Sequence, residues 1–215
     1  MNITLYESKW DKLLSRARLF TIIPFVELVF VAGSMAMGNV KKDSDFDFII
    51  GVKSGRIFTA RFFCHLFFGV LGWRRSRSME GRGVKDKFCF SHFVAPEKYH
   101  FSPPYDKYSQ KLFASLVPIY GDISLIQKFF DINADWMNES RIYKSDTRHV
   151  YREGAFLGKL IEKVLSGKLG DFLEKRLRKL QLKRIETSSK FDKLHNPRII
   201  LNDSELEFHP YTKVI

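Results

Sequence analysis

The sequence predicts an α/β protein of the α+β kind, in which helices flank a small mixed β-sheet in the N-terminal half and the C-terminal half is mostly helical. Three apolar segments, 27–33, 45–52 and 87–94, have the composition of strands and are bounded by turn-forming residues. Segments with helical periodicity lie between and after them. The chain has 215 residues and is 45% hydrophobic, which is enough to bury a sizeable core.

Apolar residues at helical spacing predict most of the remaining elements. The predicted helices cover 8–20, 57–73, 123–137, 149–167 and 171–185, with one more around Leu112 and a short helix or turn at 34–39. The tail segment ELEFHPY is expected to form a short edge strand, which Pro210 prevents from extending. We therefore predict an α/β domain over residues 1–100 and a helical, basic region over residues 101–215.

The charge of the chain points to polyanionic partners. There are 36 Lys and Arg against 24 Asp and Glu, a net charge of +12. Such an excess favours nucleic acid, nucleotide phosphates or an anionic membrane surface. Residues 141–190 contain 14 basic and 6 acidic residues. Basic helices in this window have three possible roles. They contact a phosphate backbone, they only face solvent, or they bury their leucines against a partner protein.

The cysteines and the N-terminus indicate a reducing compartment. Cys64 and Cys89 make no disulfide framework, and the first residues contain no apolar signal core. The most apolar stretch, 57–73, contains Arg61 and His65 and falls short of the ~20 apolar residues that span a bilayer. A buried helix is expected there, with a membrane-associated helix as the alternative, and the protein is expected to be cytoplasmic.

The stretch VAGSMAMGNVKKDSDFDFII places two aspartates at the start of an apolar strand. Side chains alternate between the faces of a strand, so Asp45 and Asp47 project together while Phe46 and Phe48 face the opposite side. Two neighbouring carboxylates repel each other unless they are protonated or bridged by cations. The pair predicts a site for Mg²⁺ or Mn²⁺, and the alternative is a pair that caps a turn.

Gly33 and Ser34 lie where the first strand ends and the next element begins. Backbone N–H groups at such a position, together with the Ser34 hydroxyl, can hold a triphosphate, and glycine permits a close approach. The interval of 12 residues from Gly33 to Asp45 is long enough to bring the second strand back beside the first. The phosphate cradle and the metal ligands would then meet. The alternative for the Gly-Ser pair is a simple helix N-cap.

These features resemble the DNA polymerase β-like nucleotidyltransferase superfamily, in particular its minimal prokaryotic members. Its signature is a hydrophobic strand ending in Gly-Gly or Gly-Ser, followed at a short interval by two acids that flank one hydrophobic residue. The resemblance covers residues 26–95 and depends on Gly33, Ser34, Asp45 and Asp47. It implies that the two aspartates bind Mg²⁺ and that the Gly-Ser pair binds a nucleoside triphosphate.

The resemblance also implies a third carboxylate on a later strand, but the segment KFCFSHFV contains none. Asp86, directly before that segment, is the candidate for the third ligand or base, and Glu80 lies in the preceding loop. Arg61, on the long helix after the acidic strand, is a candidate for contacting a phosphate. Further candidates for gripping triphosphate or an acceptor form a basic loop: Arg74, Arg75, Arg77, Arg82, Lys85 and Lys87.

Cysteine and histidine also occur as two close pairs. Cys64 and His65 are adjacent on a predicted helix and would point ~100° apart, as neighbouring helical side chains do. Cys89 and His92 are three residues apart on a predicted strand and would face opposite sides of it. Neither pair chelates a metal easily, so all four residues are expected to be core or incidental positions.

The expected function is metal-dependent transfer of a nucleoside monophosphate from a nucleoside triphosphate to an acceptor hydroxyl. The acceptor would be an RNA end, a protein side chain or a small molecule, and the basic charge favours RNA. The alternative is a catalytically inactive module that binds nucleotide or nucleic acid, or an antitoxin-like partner of a toxin. If Asp86 does not reach the site, the chain works with two ligands or binds nucleotide without catalysis.

Overall fold

A computed structural model describes residues 4–76, 83–103, 105–137, 156–186 and 198–209. Its helices are α1 (Leu5–Ala17), α2 (Gly33–Ala36), α3 (Ile57–Val70), α4 (Lys107–Ala114), α5 (Ile123–Ile132), α6 (Phe156–Val164) and α7 (Lys168–Glu186), with 3-10 turns at Arg18–Ile22 and Pro96–Lys98. Its strands are β1 (Val26–Ala32), β2 (Phe46–Val52), β3 (Phe88–Val94), β4 (Val117–Gly121), β5 (Arg198–Leu201) and β6 (Glu205–His209). Outside the described residues lie Arg77, Glu80, Arg82, the first part of the predicted helix 149–167, and residues 141–155 and 187–190 of the basic window.

The strands of the described residues form one mixed sheet in the order β4-β1-β2-β3-β6-β5. Strands β2 and β3 run parallel, and every other neighbouring pair is antiparallel. Helix α3 supplies the crossover that a parallel pair requires. The fold class is α+β, as the sequence predicts, and the three predicted N-terminal strands are confirmed as β1, β2 and β3.

Two strands that the sequence analysis did not predict complete the sheet, and both come from beyond residue 100. Strand β4 lies at one edge and contains Pro118, which an edge strand tolerates. Strand β5 forms the other edge. The prediction of a strand in ELEFHPY is therefore confirmed, but its edge position is wrong. That segment is β6, and it pairs with β3 on one side and β5 on the other. Strands from both predicted regions thus share one sheet.

The sheet buries a different apolar core on each face. On the first face, the ring of Phe20 contacts those of Phe48, Phe68, Phe88 and Phe90 at centroid separations of 4.9–6.2 Å. Side chains from α1, α3 and α7 pack against this face. On the second face, helices α4 and α5 cover the alternate residues of β1. Successive residues of the central strands therefore enter different cores.

An irregularity in β3 changes which of its side chains share a face. Asp47 of β2 is level with Cys89 of β3. Ile49 follows Asp47 by two residues, but it is level with His92, which follows Cys89 by three residues. The extra residue in β3 turns Cys89 and His92 to the same face of the sheet. The expectation that these two side chains face opposite sides is therefore wrong, because a bulge interrupts the two-residue period.

Helix α7 packs along α3 and completes its N-terminus. The Glu174 carboxylate accepts hydrogen bonds from the backbone N–H groups of Phe58 and Thr59 at 2.9 and 2.8 Å. Because the N-cap residue Arg56 provides no side-chain cap, a distant carboxylate satisfies donors that the first helical turn leaves open. In the part of the chain that the structure describes, neither α3 nor any other helix has the length and apolar character needed to cross a membrane.

Replacing Phe20 by alanine should destabilise the protein strongly. The side chain is fully buried between four aromatic rings, so its removal leaves a cavity and is expected to lower the free energy of unfolding by about 3–5 kcal/mol. Denaturant unfolding followed by circular dichroism measures the change. Phe156→Ala is the matched control, because that ring is 81% exposed and its loss should change stability by less than ~0.5 kcal/mol. Equal losses for the two variants would contradict the assigned core.

Candidate metal and nucleotide site

The first strand ends directly beside the second aspartate. Ala32, the last residue of β1, is the antiparallel partner of Asp47. The chain then turns at Gly33, whose φ of +62° is left-handed backbone that glycine adopts without strain. A methyl group on Gly33 would overlap the Asp47 carboxylate and lie 3.1 Å from its Cγ. The bend formed by Gly33 and Ser34 therefore lies against the Asp47 side chain.

Three potential metal ligands meet beside this bend. One ligand atom each from Asp45, Asp47 and Cys89 lie within 4.8 Å of one another. Asp45 precedes β2 and Asp47 is its second residue, whereas Cys89 comes from the parallel neighbour β3 and is level with Asp47. The structure thus brings the two aspartates together, as alternation along a strand predicts, and adds a thiol to them.

The positive charge beside the two aspartates is Arg75. Its Nη1 donates a hydrogen bond to Asp45 Oδ2 at 2.6 Å. Its backbone N–H donates to the carbonyl of Phe88 at 2.9 Å, which fixes the residue at the start of β3. The Asp45 side chain is only 16% exposed, so the ion pair is partly shielded from water. One guanidinium therefore compensates one of the two carboxylates.

The other two groups of the cluster, Asp47 and Cys89, both have pKa values above the ordinary ones. Burial, and then the neighbouring charge of Asp45, raise the pKa of Asp47 to about 6, although Cys89 and Arg75 act in the opposite direction. Burial and the two nearby aspartates raise the pKa of the Cys89 thiol to about 12. Each shift means that added negative charge is unfavourable here. A divalent cation would lower both pKa values and use the same atoms as ligands.

Asp86, the expected third carboxylate, has its backbone beside Ser44, to whose carbonyl its N–H donates at 3.1 Å, but its carboxylate is bound by helix α1. Its carboxylate oxygens accept from Lys9 Nζ at 2.9 Å and Lys12 Nζ at 2.6 Å, and its backbone carbonyl accepts from Arg16. Burial would raise the pKa of Asp86, but hydrogen bonds from Lys12 and Lys9 outweigh burial and lower it. Asp86 thus anchors α1, and among the described residues it does not join the cluster with Asp45 and Asp47.

Arg61, the expected phosphate contact, also lies elsewhere. Its Nη1 donates to Gln181 Oε1 at 2.6 Å, and its guanidinium lies over the Phe208 ring at 5.2 Å. Arg61 therefore connects α3 with α7 and β6 instead of facing the Gly-Ser bend. In the basic loop, Arg74 contacts His65 Nδ1 at 2.6 Å. Of the loop candidates that the structure describes, Arg75 is the one paired with an aspartate of the cluster.

Cys89 is the site residue that the sequence analysis did not identify. A cysteine within an apolar strand has the composition of a core position, and no local pattern distinguishes it. The available signal is indirect: β3 is parallel to β2, so its second residue falls level with the second residue of β2. Recognising it requires the strand register, which the sequence does not specify.

Comparison of the chain with models of known protein families and with curated proteins finds no match. The site is therefore defined by its own contacts, which are the approach of Gly33 to Asp47, the ion pair of Arg75 with Asp45, and the cluster of Asp45, Asp47 and Cys89.

Replacing Gly33 by alanine should weaken metal binding at the cluster by at least about tenfold, because a methyl group would displace the Asp47 carboxylate. Gly38→Ala is the matched control: its φ is +73°, so the backbone strain is similar, but nothing lies within 4 Å of the added methyl. Isothermal titration of each folded variant with Mn²⁺ measures the affinity. If both variants bind Mn²⁺ equally well, the Gly-Ser bend does not control the Asp47 carboxylate.

Asp47 should give the metal-free protein a characteristic pH dependence. Its pKa is raised from an ordinary value to about 6, so the folded state holds the proton more tightly than the unfolded chain. The resulting stabilisation is fully present below roughly pH 4 and is lost as the pH rises through about 6. Asp47→Asn should therefore increase the free energy of unfolding at pH 7.5, on the order of 1–3 kcal/mol, and change it little at pH 4.

Denaturant unfolding in EDTA at several pH values tests this expectation. Asp43→Asn is the control, because that carboxylate is exposed and its removal should leave the pH dependence unchanged. If the wild-type protein and the Asp47→Asn variant show the same pH dependence of stability, folding does not raise the pKa of Asp47.

Proposed function

We propose that the protein is a metal-dependent nucleotidyltransferase of the DNA polymerase β-like type, which transfers a nucleoside monophosphate from a nucleoside triphosphate to an acceptor hydroxyl. The observation that carries the proposal is the contact between the Gly33-Ser34 bend and the Asp47 carboxylate. At this point a backbone that suits anions lies next to carboxylates that suit cations. A metal–nucleotide complex requires both of these at one place.

Asp45 and Asp47 would hold Mg²⁺ or Mn²⁺, with Cys89 beside them as a third donor. The donor set fits such an ion, because the ligand atoms lie within 4.8 Å of one another and the Asp47 pKa is raised. A thiol is a softer donor than a carboxylate, so this set favours Mn²⁺ over Mg²⁺. When bound, the ions supply Lewis-acid activation of the attacking hydroxyl and stabilise the leaving pyrophosphate.

The Gly33-Ser34 bend would bind the triphosphate. As the first residues of a helical turn, these two residues have N–H groups without acceptors inside the turn. The absence of a side chain on Gly33 lets a phosphate oxygen approach the backbone closely. Arg75, which donates to Asp45 Oδ2 at 2.6 Å, carries the planar guanidinium that suits phosphate oxygens.

The reaction would be an in-line displacement at the α-phosphorus of the nucleotide. The acceptor oxygen forms a bond to that phosphorus, the bond to the bridging oxygen breaks, and pyrophosphate leaves with the electron pair. The proton of the acceptor hydroxyl is released to solvent, because the carboxylate expected to accept it, Asp86, is held by Lys9 and Lys12. The protein's own contribution is therefore mainly to position the reactants.

The acceptor is best sought among RNA molecules. The net charge of +12 favours a polyanion. Basic residues are exposed along α7: Lys168, Lys175, Arg176, Lys179, Lys183 and Arg184. A protein side chain or a small molecule would not need such a surface, because neither extends a phosphate backbone away from the site.

A module that binds nucleotide or nucleic acid without catalysis is the second candidate, and one observation favours it. Among the described residues, the third position of the cluster is a thiol instead of a carboxylate. A site with two carboxylates retains affinity for a metal–nucleotide complex but has one negative ligand fewer for a second ion. An antitoxin-like partner of a toxin would be a form of this candidate.

Incubation with α-labelled nucleoside triphosphates, RNA and either Mg²⁺ or Mn²⁺ tests the proposal. The wild-type protein should transfer label to RNA, and Asp45→Asn and Asp47→Asn should each lower the rate by at least about 100-fold because a metal ligand is lost. Asp43→Asn, which changes an exposed carboxylate in the same loop, should retain the wild-type rate.

Two results would overturn the enzymatic proposal. Label transfer that survives in the Asp45→Asn/Asp47→Asn double variant would place catalysis elsewhere. Retention of nucleotide or RNA by the wild-type protein, with no label transferred under either metal, would favour the binding module instead.

A further inference from the structure

A second cluster of ionisable side chains lies inside the protein, away from the bend at Gly33. It consists of His92, Glu205 and Glu207, which are 3%, 1% and 6% exposed. Glutamate is seldom so fully buried unless it is paired or bound to a metal. Two buried glutamates beside one buried histidine are therefore an arrangement that requires a physical reason.

The sheet brings these residues together through the bulge in β3 and the pairing of β3 with β6. His92 is level with Glu207 in the antiparallel pair, and Glu205 is two residues before Glu207 on the same face. The turn before β6 is fixed by Asn202, whose Oδ1 accepts from the backbone N–H groups of Ser204 and Glu205 at 2.9 and 2.7 Å. All three donors are thus held on rigid strands instead of loops.

Their ligand atoms lie close enough together to converge on one metal ion. His92 Nε2 and Glu205 Oε1 form a hydrogen bond of 3.1 Å, and one ligand atom from each of the three residues lies within 4.8 Å of the other two. Two ligands bound tetrahedrally at about 2.1 Å are themselves about 3.4 Å apart. Side-chain shifts would therefore exchange this hydrogen bond for bonds to one ion.

The charges of the three groups also favour a divalent ion. A divalent cation compensates both carboxylates and leaves the imidazole neutral, which is the form in which histidine binds metals. The three groups are then all satisfied by a single ligand.

A small cavity adjoins the cluster and leaves room for further ligands. Its volume is about 50 Å³, and both His92 and Glu207 line it. A cavity of this size accommodates a few water molecules, since one water needs roughly 10–15 Å³ by this measure. Ser102, Tyr105 and Ser109, whose side chains carry hydroxyls, also line it.

We propose that His92, Glu205 and Glu207 bind a zinc ion, with water from the adjoining cavity completing its coordination. Imidazole nitrogen and carboxylate oxygen are both zinc ligands, and three protein ligands leave the fourth position open for water. The proposal is independent of the nucleotidyltransferase proposal, because none of these residues belongs to the cluster of Asp45, Asp47 and Cys89.

The test is made in a background that removes the first cluster, the variant Asp45→Asn/Asp47→Asn/Cys89→Ser. This protein, stripped with a chelator, should bind one equivalent of Zn²⁺ by titration calorimetry. Adding Glu207→Gln should weaken the affinity at least about tenfold, the size of effect that follows loss of a zinc ligand. Adding His100→Asn is the control, because His100 is exposed and pairs with Asp135.

X-ray absorption of the zinc-loaded background protein provides a second readout that does not depend on the fold of the Glu207→Gln variant. One nitrogen and several oxygen neighbours at about 2.0–2.1 Å are expected, with no sulfur. The proposal is overturned if the folded background protein binds no Zn²⁺ at about 100 µM. It is also overturned if the Glu207→Gln and His100→Asn variants bind Zn²⁺ equally well. Activity of the wild-type protein does not enter either result, so this proposal and the proposed function can fail separately.

Discussion

The antiparallel register between β1 and β2 is the constraint on which the rest of the molecule depends. It sets Ala32 opposite Asp47 and so places the Gly-Ser bend against a carboxylate. A shift of one residue would exchange the faces of β2 and bury Asp47 among the rings that surround Phe48. Burying an uncompensated carboxylate costs several kcal/mol, roughly, whereas one aromatic contact contributes about 1 kcal/mol. The cost of burying the Asp47 carboxylate therefore contributes at least as much to fixing the register as the favourable contacts between β1 and β2 do.

The same constraint divides the chemistry of the sheet between its two faces. The first face meets α1, α3 and α7 through an almost wholly aromatic and aliphatic core. The second face carries Asp47 and, across the parallel pair, Cys89; beyond the bulge it carries His92 and Glu207. Polar groups are tolerated there because charged partners or a cavity lie next to them at the margin of the second apolar core. The second face therefore combines an apolar core with the donors of both clusters.

Local sequence patterns were sufficient for β1, β2 and α3, because each of these elements is a continuous apolar segment that the cores bury. They also placed Asp45 and Asp47 together, because that placement needs only alternation within one strand. Cys89 and His92 were misjudged because a bulge in β3 cannot be read from an apolar run. Asp86 was misjudged because Lys9 and Lys12, more than 70 residues earlier in the chain, compete for its carboxylate. Long-range pairing decided each of these positions.

Under the proposed function, Arg75 would give the cluster of Asp45, Asp47 and Cys89 two electrostatic states. Without a cation, its guanidinium lies 2.6 Å from Asp45 and offsets part of the repulsion between the carboxylates. A divalent cation on the carboxylates would repel the guanidinium and remove the reason for that ion pair. Because the backbone of Arg75 is tied to Phe88 at 2.9 Å, the displaced side chain would stay beside the site. There it would meet the triphosphate that the proposed function requires, so metal binding and nucleotide binding would reinforce each other through a single residue.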